Sequence, residues 1–126
     1  TDYETWTTGT RTLAAGAAQI KVLVEASNLG SDEVEMAEAT FPVGYRTAGH
    51  SHGAIELFYV VEGVLEHVVN GKAQELVPGM VGIVRPEDTV VHAVVGDTPV
   101  KALVVWAPGG EAERLADAFA RRRSGR

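Results

Sequence analysis

The chain contains no cysteine, so a disulfide framework and a thiolate metal site are both excluded. Basic charge is scarce. Eleven Lys and Arg stand against seventeen Asp and Glu, a formal net charge of -6, which provides no electrostatic footprint for nucleic acid or an anionic membrane. No apolar run approaches the roughly 20 residues of a membrane span. The start, Thr1-Asp2-Tyr3-Glu4, lacks the basic opening and apolar centre of a secretory signal. These absences lead to the expectation of a cytoplasmic protein with a small-molecule substrate. Glycine-rich phosphate loops, dinucleotide fingerprints and Gly-x-Ser-x-Gly elbows are also missing. Only four histidines occur, which makes their placement informative.

What is present is an ordinary globular balance, with 45% hydrophobic and 22% charged residues in 126 positions. That length suits one domain with a real core. Residues 1–19 are polar and small, and read as an irregular N-terminal arm whose large anchor is Trp6. Strand signals follow from residue 20 to residue 108. They comprise Ile20 to Glu25, Glu33 to Phe41, Leu57 to Glu62, Val64 to Val69, Lys72 to Val77, Met80 to Val84, Val90 to Val95 and Val100 to Trp106. Asn28 to Asp32 reads as a turn, and Asn70-Gly71 as a tight hairpin. Many short strands at close spacing predict an all-β sandwich or barrel. Beyond Pro108-Gly109-Gly110, Ala112, Leu115, Ala116 and Phe119 recur with helical period. Residues 109–126 therefore predict a short C-terminal helix, with Glu111 and Glu113 at its start and Arg121-Arg122-Arg123 at its end, as the macrodipole favours.

The richest segment runs from Gly44 to Gly63. His50 and His52 are two apart, and Glu56 follows with the same parity. On an extended strand, residues i and i+2 share a face, so these side chains can converge. His92 lies forty residues beyond His52. Imidazole and carboxylate together suit a divalent transition metal. Three neutral histidines and one carboxylate leave open positions on an octahedral ion such as Fe(II), Mn(II), Ni(II) or Co(II), or on Zn(II) with expanded coordination.

Other residues are weaker candidates. His67 turns inward if Glu66 faces solvent, and is then a partner that orients a metal-bound side chain or a proton shuttle; the alternative is an exposed strand residue with no role. Arg46 shares parity with His50 and can reach an anionic substrate. Tyr45, Phe58 and Trp106 are candidates for the pocket wall, and Arg85 for its rim. The apolar strands favour a small, partly apolar substrate with a metal-chelating oxygen pair.

The segment Gly44, five residues, His50-Ser51-His52, three residues, Glu56, six residues, Gly63 resembles the first motif of the cupin superfamily at every defined position. Gly79, Pro86 and His92 resemble the second motif in part. Pro86 comes one residue late, no glycine occupies the Pro-x-Gly position, and Gly96 stands where Asn is usual. Fifteen residues separate Gly63 from Gly79, similar to compact bacterial cupins. The resemblance covers about residues 40–107. It implies a double-stranded β-helix, or jelly-roll barrel, in a homodimer, with a metal on His50, His52, Glu56 and His92. It implies an enzyme too, with a non-haem metal dioxygenase as the first expectation. Lewis-acid isomerase, lyase or polyketide-type cyclase chemistry is the alternative, and a non-catalytic ligand-binding protein a third.

Overall fold

The computed structural model describes residues 4–124, with side chains to residue 118. Phe119 and Arg121-Arg122-Arg123, which the helix expectation invoked, have side chains outside that description. Nine strands form two antiparallel sheets among the described residues. In chain order they are β1 (Arg11–Ala15), β2 (Ala18–Val24), β3 (Glu35–Phe41), β4 (Ile55–Glu62), β5 (Val64–Val69), β6 (Lys72–Leu76), β7 (Val81–Val84), β8 (Val90–Val95) and β9 (Val100–Ala107). One sheet has the order β1-β2-β3-β9-β4-β7, the other β6-β5-β8. Two helices are present, α1 (Ala26–Leu29) and α2 (Glu111–Ser124). No described helix is long and apolar enough to cross a membrane. The all-β jelly-roll with a C-terminal helix is thus the observed architecture.

Alternation explains which residues go inside. Glu56, Phe58 and Val60 of β4 point inward, as do Val100, Ala102, Val104 and Trp106 of β9. Leu65 and Leu76 come from the smaller sheet and complete the core against Phe41 and Phe58. Burial of a large aliphatic or aromatic side chain contributes about 1.5–3 kcal/mol. The inward residues of β2 and β3 are unusually small. Ala18, Ala37 and Ala39 are fully buried, and Ala39 lies opposite Ala102 on β9. Side chains this short cannot fill a barrel, so space remains at its centre.

Three expectations need correction. Residues 11–15 are not irregular. They form β1, paired with β2 from Arg11↔Val22 to Ala15↔Ala18. The expected boundary at residue 20 therefore falls within β2. Alternation was hidden there because the residues are short, although Leu13 and Ala15 face inward and Thr12 and Ala14 outward. Trp6 does not cover the barrel of its own chain, being 72% exposed. The Asn28 to Asp32 turn is instead the end of α1, where Glu25 and Asn28 satisfy each other's backbone donors in a capping box. Gly30 closes it with φ 87°.

Two motif glycines have clear physical roles. Asn70 and Gly71 both adopt positive φ, 51° and 82°, as a type I′ hairpin requires. Gly63 joins β4 to β5 with φ 84°, and a methyl group there would collide with the Pro99 carbonyl oxygen. We expect Gly63→Ala to destabilise the protein by about 2–4 kcal/mol, from left-handed backbone strain and overpacking together. A lower urea midpoint at unchanged slope checks this.

Candidate metal centre and its pocket

A pocket of about 560 Å³ opens between the sheets, beneath α2. Its lining includes Ala15, Gly16, Ile20, Ala39 and Phe41 from the first three strands and the turn after β1. His50, His52, Glu56, His92 and Trp106 line it too, as do Glu111, Leu115 and Ala118 of α2. All four sequence-proposed metal ligands therefore reach one chamber.

They arrive from different elements. Residues 45–50 do not form a named strand. They run beside β8 through Thr47 N to His92 O (2.9 Å), Val90 N to His50 O (2.8 Å) and Val94 N to Tyr45 O (2.9 Å). Extended backbone held in this way keeps His50 and His52 on one side, with their rings edge to face at 4.9 Å. The Glu87 amide donates to the His52 carbonyl (3.0 Å), so the loop before His92 braces the loop bearing His52. Glu87 takes φ 71°, a left-handed conformation that glycine would adopt without strain.

Each donor is tied at one atom. His50 Nδ1 lies 2.8 Å from the Ala48 carbonyl, which only accepts, so Nδ1 carries the proton and Nε2 the lone pair. His52 Nδ1 lies 2.6 Å from Glu111 Oε1. Trp106 Nε1 donates to Glu56 Oε2 at 2.8 Å. His52 Nε2 and Glu56 Oε1 are buried without a hydrogen-bond partner. Nε2 stands 3.3 Å from Glu56 Oε2, outside hydrogen-bond alignment. Such orphaned polar atoms are costly and rare, and both have the chemistry of metal donors. The residues thus fit a divalent ion. Among the described residues, however, no three His, Asp or Glu groups stand close enough to grip one as they are. His92 is engaged elsewhere, its Nε2 lying 3.1 Å from His67 Nδ1.

His67 is inward and buried, directly across β5–β8 from His92. Its ring has room because β7 has Gly82 opposite, where a Cβ would sit 2.8 Å from His67 Cε1. Phe58 packs on His92 at 4.5 Å and on Phe41 at 5.9 Å, while Tyr45 stacks on Phe41 at 4.9 Å. Arg46 lines the pocket but is exposed, 3.4 Å from Glu66. Arg85 is not among the lining residues.

Sequence reasoning missed Glu111. It read as a dipole-complementing acid, yet it is buried against His52 and paired with Arg114 Nη1 at 2.7 Å. Glu35 was missed as well. It points inward and accepts from the Ala112 amide at 3.0 Å, holding the start of α2. Only the chain's return over the pocket creates these contacts, so no local pattern announces them.

Electrostatics sharpen the picture. Burial opposes the Glu56 carboxylate, but His52, His92 and the Trp106 N–H outweigh it and hold its pKa at about 2. Burial likewise opposes the His52 cation, but Glu56 and Glu111 prevail and raise its pKa. At His92 burial wins, with neighbouring histidines adding to it against Glu56, and the pKa falls to about 4. Burial also lowers that of His67.

A family model described as a cupin domain matches residues 37–106. An RmlC-like cupin from Shewanella frigidimarina is similar at 21% identity, with TM-score 0.74, over 86% of this chain and 95% of that one. A predicted oxalate decarboxylase from Thermotoga maritima is 18% identical, with TM-score 0.66, over 79% and 92%. The DMSP lyase DddQ from Ruegeria pomeroyi is 26% identical, with TM-score 0.57, over 61% and 39%. No curated protein matches the sequence.

The depressed His92 pKa gives a signed expectation for the metal-free protein. Between pH 6.5 and about 4 the unfolded chain binds a proton at His92 that the folded chain refuses. Stability therefore falls as pH drops through that window, by at most about 3 kcal/mol. His67 acts in the same direction and His52 against it. Glu56 titrates lower. Urea unfolding at pH 7.5 and 4.5 should show a smaller loss for His92→Asn than for wild type. Equal losses would contradict the assignment.

Proposed function

This chain belongs to the cupin domain family, and on that premise we propose that it is a metal-dependent enzyme acting on a small, metal-chelating organic substrate. The observation carrying this reading is the pair of orphaned donors, His52 Nε2 and Glu56 Oε1, buried at a largely apolar chamber. His50, His52 and Glu56 would hold the ion, with Ala48, Glu111 and Trp106 fixing their orientation. His92 would join by giving up its contact with His67. When bound, a divalent ion supplies Lewis acidity, and a redox-active one also supplies oxygen chemistry.

The chain's own residues do the rest. Phe41, Phe58, Ile20 and Leu115 exclude water from the substrate's apolar part. Once His92 turns to the ion, His67 Nδ1 is released from it and can hold or accept a proton beside the reacting centre. Arg46 and Arg114 offer positive charge among the lining residues. The non-haem dioxygenase remains the first reading, because the ligand set leaves positions for both substrate and O2. Lewis-acid lyase, isomerase or cyclase chemistry is the second, favoured by the likeness to a DMSP lyase and a predicted oxalate decarboxylase.

Elemental analysis after purification without chelators or a metal-affinity tag tests this. We expect stoichiometric divalent metal in the wild type, and its loss in Glu56→Ala and His52→Ala with the β-rich circular dichroism retained. Iron with substrate-dependent O2 uptake would support the dioxygenase. Another ion without uptake would favour the Lewis-acid reading. No metal after reconstitution would leave a ligand-binding protein and refute the proposal.

The partner we propose is a second copy of the chain. Leu57 and Ile83, and likewise Tyr59 and Val81, are opposite one another on the outer face of β4 and β7, each 37–50% exposed. A face without charge can meet its own image about a two-fold axis, whereas the rest of a chain of net charge -6 repels its copy. Exposed apolar surface of this kind marks interfaces. Sedimentation should show a dimer at micromolar concentration and a monomer for Tyr59→Lys. A wild-type monomer would exclude the dimer.

A further inference from the structure

We infer that Glu111, at the first turn of α2, is a positioning residue that keeps a proton on His52 Nδ1, so that whenever the ring is neutral its lone pair is on Nε2. The inference rests on the proposed metal-dependent function for its purpose, but the contact itself belongs to the chain alone. Glu111 lies outside the histidine-glutamate motif, 59 residues from His52, on the roof of the pocket.

The chemistry leaves little choice. An ionised carboxylate has no hydrogen to give. At 2.6 Å from Glu111 Oε1, His52 Nδ1 must therefore be the donor. A neutral imidazole then has its one free lone pair on Nε2, the atom buried without a partner at the chamber. Glu111 is also paired on its far side. It is buried, and Arg114 Nη1 contacts both its oxygens at 3.0 and 2.7 Å. Without Arg114 the pair would cost more to bury.

Glu111 is also held from behind. The Gly109 amide donates to the Asp32 carbonyl at 2.7 Å, and the Ala112 amide to Glu35 Oε1 at 3.0 Å. These two bonds bracket Glu111 and fix the start of α2 to β3 and its approach. Arg11 adds a tie further along, bridging Glu25 and Glu113 at 3.0 and 3.1 Å. The carboxylate is thus delivered by the scaffold rather than by a mobile tail. The same design recurs at His50, whose Nδ1 is tied to Ala48, and at Glu56, whose Oε2 is tied to Trp106. A partner on the far atom orients the near one, a pattern found throughout metal sites.

Imidazole 15N NMR of the metal-free protein, followed upward in pH until the His52 ring has lost its second proton, reads the tautomer directly. The wild type should show His52 protonated on Nδ1. Glu111→Ala should give a mixture or the Nε2–H form. Glu111→Gln should restore the wild-type tautomer, because its amide oxygen still accepts. Competition with a fluorescent chelator for Zn(II) should show metal affinity about 10–100-fold weaker in Glu111→Ala, with recovery in Glu111→Gln. If Glu111→Ala fails to fold, the wild-type tautomer and the Glu111→Gln affinity still decide the matter. An Nε2–H form in the wild type would overturn the inference, as would an unchanged tautomer and affinity in Glu111→Ala. A wild type that binds no metal but keeps the Glu111-dependent tautomer would sustain the inference and defeat the proposed function.

Discussion

His52 lies between two buried carboxylates, Glu56 on β4 and Glu111 on α2. This contact joins three parts of the chain that are remote in sequence. Ionised groups are expensive to bury unless paired and hydrogen-bonded, so the loop carrying His52, the strand carrying Glu56 and the roof helix must dock together or not at all. Trp106 and Arg114 satisfy the outer oxygens, and Glu35 satisfies the helix start. The polar interior therefore acts as a specification for the fold. It stabilises one arrangement of α2 over the others that a merely amphipathic helix would accept.

Two buried polar clusters divide the interior. The first, His52 with Glu56 and Glu111, favours charge, and its pKa shifts favour the ion pair. The second, His67 with His92, favours neutrality because burial dominates there. Phe58 stands against the second, its ring 4.5 Å from His92. Acidic and neutral donors are thus held side by side around one chamber, which suits an ion that needs both kinds.

Much of the barrel was legible because short β-branched and aromatic runs bounded by turn residues announce strands. β4, β5, β8 and β9 are such runs, and Asn70-Gly71 names its own turn. β1 was not legible, since Thr12, Leu13, Ala14 and Ala15 are too short and mixed for a clear face. At Glu35 alternation was visible, but its acidic member points inward to hold α2. The four candidate ligands could be picked out because two apart is a local relation on extended chain. Their supporting partners could not. Glu111 and Trp106 meet His52 and Glu56 only through tertiary closure, and the His67–His92 contact depends on strand pairing across two β-strands. Sequence patterns carry short-range geometry well, and long-range pairing only where a motif encodes it.

The small inward residues of β1 and β3 have one further consequence. Ala15 on β1 and Ala39 on β3 line the chamber, on strands that carry none of His50, His52, Glu56 and His92. Chamber size and donor chemistry are therefore written in separate parts of the chain. An added methylene at Ala39 narrows the space without touching an imidazole or a carboxylate. The volume open to a ligand can thus be altered at one small-residue position at a time, with the imidazole and carboxylate groups left in place.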